Sequence, residues 1–405
     1  VWRSFFPISS MLLSYAFSNF HSVAERTVVS MTLTERDNVH GWDRVSPCAQ
    51  RVTTAMAVMG ANGAGKTTLV KELALLAYFV RCRFDMDPKA EIPYRPHLGL
   101  RDAPSEFEVE ADDDQGVRWR YVLRTTPQRV LHEALYRKGG RMGYVFVRDW
   151  NEASQSYEVK QQDFGLAPSE AAKVRPNVSL ISWAQQYGVE MATHVAGFIV
   201  MSNLDFRGRE RMEDGTVLQA AEYFANNEEL QSQMRALITS WDLGLSDVRI
   251  HKYENAPTER SGESKVTWVP WGIHNARGAS FELPFGMESS GTQTALVLLW
   301  RLLPALAVGA VALIDELEAD LHPHMIEPIL QLFDAPESNP HGAQIIFTCQ
   351  SPEVLKLLHR AQVMFVEKIH CESTAYRGDE VEGLTSAQNL YGKYMAGALG
   401  AVPQI

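Results

Sequence analysis

Gly60-Ala61-Asn62-Gly63-Ala64-Gly65-Lys66-Thr67-Thr68 fits G-x-x-x-x-G-K-[ST], the spacing of a phosphate-binding loop. Its flanks fit too. Thr53-Thr54-Ala55-Met56-Ala57-Val58-Met59 reads as a buried parallel strand. Thr67 to Leu76 reads as a helix. Glycines let the backbone fold tightly, so that successive N–H groups point inward at an anion. The helix N-terminus adds partial positive charge and unpaired donors. Lys66 is placed to reach the β- and γ-phosphates, and Thr67 to offer its hydroxyl to Mg²⁺.

Composition sets outer bounds. The 405 residues suffice for one large domain or two ordinary ones. Hydrophobic residues at 45% and charged residues at 21% describe a globular protein. A net charge of −11 disfavours a surface built to grip nucleic acid as a whole. Cys48, Cys82, Cys349 and Cys371 form no C-x-x-C pair, so neither a zinc site nor a disulfide framework is expected, which suits a reducing cytoplasm. No apolar run reads as long enough to span a membrane. Residues 1–10 read as an upstream extension, with Met11 as the natural start.

Strands are expected at Met11 to Phe20 and at Val28 to Leu33, and the loop helix is expected to run to about Phe84. Apolar runs between Phe107 and Arg148, with a turn at Asp112-Asp113-Asp114-Gln115-Gly116, predict an antiparallel sheet beside the nucleotide core. Val178 to Phe198 and Leu218 to Thr239 read as helices, and Glu254 to Val266 as a polar loop. The C-terminal third returns to α/β alternation. The expected division is an extension at 1–10, the first part of a phosphate-loop head at 11–165, a helical insertion at 166–258, and the rest of the head at 259–405.

Two further motifs carry chemistry. Val311-Ala312-Leu313-Ile314-Asp315-Glu316 is an apolar strand ending in two carboxylates. The first acid suits a Mg²⁺ site, and the second suits a general base for the attacking water. Glu288-Ser289-Ser290-Gly291-Thr292-Gln293 opens a helix that contains Pro304. Small hydroxyl residues at a helix N-terminus serve as a cap or as an anion site.

The order of these three motifs resembles the ATP-binding-cassette ATPase heads, in the branch with SMC-like, RecF-like and OLD-like members. More closely, it resembles the AAA-type ATPases of abortive-infection and antiphage operons. Ser18-Asn19-Phe20-x-Ser22, Glu288-Ser289-x-Gly291-Thr292, Asp315-Glu316-Leu317-x-x-x-Leu321-His322-Pro323 and Phe365-Val366-Glu367-Lys368 carry the likeness. The resemblance implies an α/β head with a flanking antiparallel β-subdomain and a helical insertion. It implies that ATP and Mg²⁺ are bound between two subunits of a homodimer or higher oligomer. Lys66 and Glu316 would act from one side, Ser289 and Gly291 from the other. The family's usual switch histidine is replaced: the run is Thr348-Cys349-Gln350-Ser351-Pro352, so Gln350 holds that position. Glutamine donates a hydrogen bond but relays no proton, so slow hydrolysis is expected. Gln161 and Gln162 are candidates for the glutamine that such heads carry between sheet and helices.

Three functions follow from this reading. One is an antiphage ATPase that gates a separately encoded effector, a nuclease or toxin. The second is a RecF-like DNA-repair or DNA-end-binding ATPase. The third is a slowly or non-hydrolysing nucleotide switch. Arg137, Lys138 and Arg141, with Arg207, Arg209 and Arg211, would be the contacts to a nucleic-acid backbone if DNA is bound, although a solvated surface explains them as well.

Overall fold

The computed structural model describes residues 10–82, 87–198, 200–255, 265–385 and 388–402. Residues 1–9 of the expected extension, 256–264 of the expected loop and the last three of the tail lie outside the described residues. Two strands open the chain, β1 (Ser10–Ser18) and β2 (Thr27–Ser30), followed by a short pair, β3 (Asp43–Val45) and β4 (Arg51–Thr53). Strand β5 (Ala55–Gly60) enters the phosphate loop and helix α1 (Lys66–Cys82) leaves it. Five strands follow: β6 (Ser105–Asp113), β7 (Arg118–Thr125), β8 (Val130–Lys138), β9 (Met142–Asn151) and β10 (Ser156–Gln161). Helices α2 (Pro168–Ala171), α3 (Leu180–Gln186) and α4 (Glu190–Ala196) lead to strand β11 (Val200–Ser202). Helices α5 (Asp214–Ala225) and α6 (Glu228–Ser240) precede strands β12 (Asp247–Asn255), β13 (Lys265–Ala276) and β14 (Ala279–Pro284). The last stretch holds α7 (Ser290–Val308), β15 (Val311–Ile314), α8 (Ile326–Asp334), β16 (Gln344–Cys349), β17 (Val363–Ile369), β18 (Glu372–Arg377) and α9 (Leu390–Met395).

The chain forms two compact units. The first comprises residues up to Arg209, Ala305–Leu317 and Leu330 onward; the second comprises Glu210–Pro304 and Glu318–Ile329. These boundaries differ from those expected at 166 and 258. Helices α2–α4 fall in the first unit, and α5 and α6 in the second.

In the first unit a six-stranded sheet runs β11-β15-β16-β5-β17-β18, parallel except for the last pair. All six residues of β5, all four of β15 and all six of β16 are buried. This is why these strands read as continuous apolar runs rather than alternating ones. Helix α1 buries Leu69, Val70, Leu73, Leu75, Leu76 and Phe79. Each such side chain contributes about 1.5–3 kcal/mol when fully buried.

The second sheet of this unit, β10-β9-β8-β7-β6-β1-β2, is antiparallel throughout, as expected. One side chain staples the two sheets together. Gln344, the first residue of β16, accepts from the Leu12 amide at 2.7 Å and donates to the carbonyls of Leu12 (3.0 Å) and Thr53 (3.1 Å). Helix α3 is anchored by a buried ion pair. Glu133 accepts from Tyr121, Ser179 and the Leu180 amide, and pairs with Arg148 at 3.3 Å. Arg148 also donates to the carbonyls of Val178 and Arg175 and lies over the Tyr157 ring. Both charged side chains are wholly buried. The cluster engages both terminal nitrogens of Arg148 and both oxygens of Glu133, leaving the Arg148 Nε without a partner among the described residues. Such pairing is what makes a buried ion pair tolerable.

Both expected long helices are broken. Gly188, at φ +73°, separates α3 from α4, a backbone conformation that glycine adopts without steric cost. Asn226 and Asn227 part α5 from α6. The second unit also holds a three-stranded antiparallel sheet, β12-β13-β14; β12 falls in the expected helical insertion, and β13 and β14 fall in the stretch expected to belong to the rest of the head. Helix α5 packs on β13. Helix α7 passes through Pro304 as expected. By length and composition alone α7 could cross a membrane, contrary to the sequence reading, but 72% of its apolar window is buried inside the protein.

Candidate nucleotide site

Strand β5 and helix α1 hold the loop from Gly60 to Thr68 at the end of the parallel sheet. Ligands bind at the carboxyl ends of such strands. Gly63 and Gly65 have φ of +75° and +113°, which side-chain-bearing residues rarely adopt. A Cβ on Gly60 would run into the Val366 carbonyl, and one on Gly65 into the Ser373 hydroxyl. The outer wall is the β17–β18 hairpin. Ser373 donates to the Ala64 carbonyl at 2.5 Å and lies 2.8 Å from the Ser22 hydroxyl. Lys368 donates to the Gly63 carbonyl at 3.1 Å. Asn62 and Gly63 are exposed at the loop's crest, Ala61 is half-buried and Thr68 is buried beneath. Lys66 is buried and folds back onto the carbonyls of Gly60 (2.9 Å) and Ala61 (3.1 Å).

Strand β15 delivers the acids beside this loop. The Thr67 hydroxyl donates to both carboxylate oxygens of Asp315 at 3.1 Å. Asp315 is only 3% exposed, and burial pushes its pKa up despite the hydroxyls of Thr348 and Thr67 and the nearby Arg209. A hydroxyl and a carboxylate converging in a dry site beside a phosphate loop are oxygen ligands of the kind Mg²⁺ takes, so the donor set fits the metal. Glu316 has φ +54°, a strained conformation for a residue of its size. Two hydrogen bonds hold it there: the Glu316 amide donates to the Thr348 hydroxyl at 2.7 Å, and the Leu317 amide to the Thr348 carbonyl at 3.0 Å. Gln350 places its amide nitrogen 3.5 Å from one Glu316 oxygen. Arg209 pairs with the other.

Residues that sequence reasoning missed complete the site. Asn203, just past β11, donates to the Asp315 carbonyl at 2.9 Å and accepts from its amide at 2.8 Å. It thereby fixes the end of β15. The signal available in the sequence was Val200-Met201-Ser202, a short apolar run after Gly197. By contrast, Gln161 and Gln162 do not reach the acids. Gln161 ends β10, the outermost strand of the antiparallel sheet, and donates to the Leu166 carbonyl; the Gln162 amide donates to Val145. The loop after β11, rather than β10, carries the side chain bonded to the Asp315 backbone in this structure.

Ser289 and Gly291 lie in the second unit. Ser289 caps α7, accepting from the Thr292 amide at 3.1 Å. A Cβ on Gly291 would come within 2.8 Å of the Asp320 carbonyl, so only glycine fits there without a shift. Glu288 pairs with His274 at 2.7 Å. His322 caps a single short turn through its Nδ1, which is a structural role. Among the described residues no group of three or more His, Cys, Asp or Glu is gathered for a metal, and Cys48, Cys349 and Cys371 are not in disulfides.

A parallel sheet with this loop after β5 and an Asp-Glu pair ending β15 defines a P-loop ATPase head. Residues 55–356 match the family described as "AAA domain, putative AbiEii toxin, Type IV TA system". The match covers more than half of the chain, which therefore belongs to this family of AAA-type ATPases. No curated protein matches the sequence. Among solved structures, an Smc head bound to the C-winged helix domain of ScpA is 11% identical, with 90% of this chain and 97% of that one covered and a TM-score of 0.47. A second Smc head, bound to the C-terminal domain of ScpA derived from Pyrococcus furiosus, is 11% identical with a TM-score of 0.46, covering 91% and 96%. The recombination mediator RecF with ATP is 11% identical with a TM-score of 0.32, covering 85% and 94%.

Proposed function

We propose that this protein binds and hydrolyses ATP with Mg²⁺, dimerises around the nucleotide, and acts in the cytoplasm as the gate of an antiphage system. The observation that carries the catalytic part is the Thr67–Asp315 contact beside the phosphate loop. Lys66 would release its two carbonyls and turn to the β- and γ-phosphates, and the loop amides from Ala61 to Thr68 would surround them. Thr67 and Asp315 would hold Mg²⁺. Magnesium, when bound, supplies positive charge against the phosphate oxygens. Glu316 would accept the proton of the attacking water. Ser289 and Gly291 would complete the site of a second subunit.

The family membership supports a role in abortive infection. Closure of such a head needs something to act on, because a ligand shifts an equilibrium only by its differential affinity for the two states. The partner would be a separately encoded nuclease or toxin. A slow nucleotide switch is the second reading, favoured by Gln350 at the switch position and by the engagement of both Glu316 oxygens.

The test has two arms. Purified protein is assayed for Mg-dependent ATP hydrolysis with Glu316→Gln as control, and the native operon is tested by pull-down and phage challenge. Turnover that survives Glu316→Gln removes the catalytic assignment. Unchanged phage resistance on deletion, with new sensitivity to DNA damage, moves the role to repair.

A further inference from the structure

The segment from Asn203 to Arg209 is a tight hairpin with three anchors. Its root is Asn203, bonded to both main-chain groups of Asp315. Its tip is a turn closed by Asp205. That carboxylate accepts from the amides of Arg207 (2.6 Å) and Gly208 (3.1 Å), and the Asp205 amide donates to the Gly208 carbonyl at 3.0 Å. Next to the tip, the Phe206 ring lies 4.9 Å from that of Tyr78 on α1. The returning arm bridges to Leu204 and ends in Arg209, whose guanidinium pairs with Glu316. The hairpin therefore connects the helix of the phosphate loop to both acids. Only its last anchor is an ion pair, and only that anchor touches the residue assigned as base.

The character of this pair decides its use. Both side chains are partly open to solvent, at 33% for Arg209 and 39% for Glu316. Exposed pairs of this kind are weak and exchange partners readily. A guanidinium binds phosphate oxygens as well as it binds a carboxylate, often through two parallel bonds. Arg209 meanwhile occupies one of the two oxygens through which Glu316 would meet an attacking water.

We infer that Arg209 is a positioning residue that latches Glu316, and that the terminal phosphate of a nucleoside triphosphate releases the latch by competing for the guanidinium. The inference rests on the ATPase reading above and adds a control element to it. In this scheme the base is covered until the charge that needs it arrives, and the hairpin loosens as the latch opens.

The experiment compares wild type, Arg209→Ala and Arg209→Lys by two readouts: steady-state ATP turnover with Mg²⁺, and amide hydrogen exchange of residues 203–209 with and without Mg·AMP-PNP. Without nucleotide, Arg209→Ala is expected to exchange its hairpin amides faster than wild type, and AMP-PNP to bring wild type toward that level. At saturating ATP the bound nucleotide has already opened the latch in wild type, so turnover in Arg209→Ala is expected to stay within about three- to five-fold of wild type, the scale set by a weak exposed pair, with little change in KM. Arg209→Lys keeps the charge but loses the fork, and is expected to fall between the two.

Two results overturn the latch. One is a turnover loss of about ten-fold or more in Arg209→Ala at unchanged KM, which would make Arg209 a cation acting on the transition state. The other is a hairpin exchange pattern that neither Arg209→Ala nor AMP-PNP alters. Failure of the ATPase reading looks different: wild type then neither binds AMP-PNP nor turns over ATP. In that case the phosphate trigger falls with it, while the nucleotide-free comparison of wild type and Arg209→Ala still decides whether the pair holds the hairpin.

Discussion

Thr348 donates its hydroxyl to Asp315 at 2.7 Å while the same oxygen accepts from the Glu316 amide at 2.7 Å. One side chain on β16 thus sets the orientation of the acid assigned to the metal and of the strained backbone that presents the acid assigned as base.

Thr348→Val keeps the shape and removes both bonds. It is expected to lower Mg-supported turnover about 10–100-fold, the usual cost of losing the partner of a metal ligand. Titration with Mg²⁺ at fixed ATP checks this, and a variant with wild-type Mg²⁺ dependence would show that Asp315 is oriented by Thr67 alone.

Gln350→His is expected to raise turnover several-fold by restoring the family's usual switch residue where the Gln350 amide nitrogen now lies 3.5 Å from a Glu316 oxygen, since imidazole relays protons directly or through one water. The measurement is kcat at saturating ATP. A flat or falling kcat means the site is tuned to glutamine.

Lys66→Ala is expected to abolish productive ATP binding, because the β- and γ-phosphates lose their cation. Gly291→Asp is expected to disturb the close approach to the Asp320 carbonyl without touching Lys66. Mixing the two proteins is then expected to restore about one working site per dimer, by the logic of an isologous interface. Activity is read at concentrations where sedimentation shows dimers, and the absence of any rescue there rules out sites that work independently across a dimer.

Glu133→Ala leaves Arg148 buried without its carboxylate. Losing one partner of a buried pair costs about 3–5 kcal/mol. Chemical denaturation is expected to show a loss on that scale, and the double variant Glu133→Leu/Arg148→Met to recover part of it. A loss below about 1 kcal/mol in the single variant would mean that the carbonyls of Val178 and Arg175 satisfy Arg148 unaided.

His21 gives the fold a defined pH response. Burial first, then the charges of Lys71 and Arg95, lower its pKa to about 4. The unfolded chain binds this proton near pH 6.5 and the folded protein does not, so stability rises with pH across that window. The contribution is fully present above about 6.5 and is lost as pH falls toward 4, on the order of 2–3 kcal/mol in all. His21 has φ +50°, which asparagine tolerates. His21→Asn is therefore expected to flatten the dependence of Tm on pH between 4 and 6.5, and an unchanged slope would assign it to other groups.

The parallel core was legible because burial on both faces leaves an unbroken apolar signature. The runs at Ala55 to Met59, Val311 to Ile314 and Gln344 to Thr348 all became strands. The antiparallel sheet was legible through its turns. Strands β12 to β14 were not, because the exposed Arg249 and Tyr253 fall on one face of β12 and the exposed Lys252 on the other, and β14 exposes Phe281, so no apolar alternation marks them. At the site, loop and acids announced themselves by spacing, whereas Asn203, Arg209 and the dual role of Thr348 depend on which strand lies beside which. No linear spacing encodes that adjacency, since Asn203 and Asp315 are 112 positions apart.

The Gln344 staple gives the parallel sheet a fixed origin. Four residues along β16, at about 3.3 Å each, separate Gln344 from Thr348, so the strand works as a measuring rod of about 13 Å. Its zero mark is set by the backbone of Leu12, in the other sheet. Any substitution that shifts Leu12 along its own strand would be read out at the far end of the rod, as a change in where Asp315 and Glu316 are aimed.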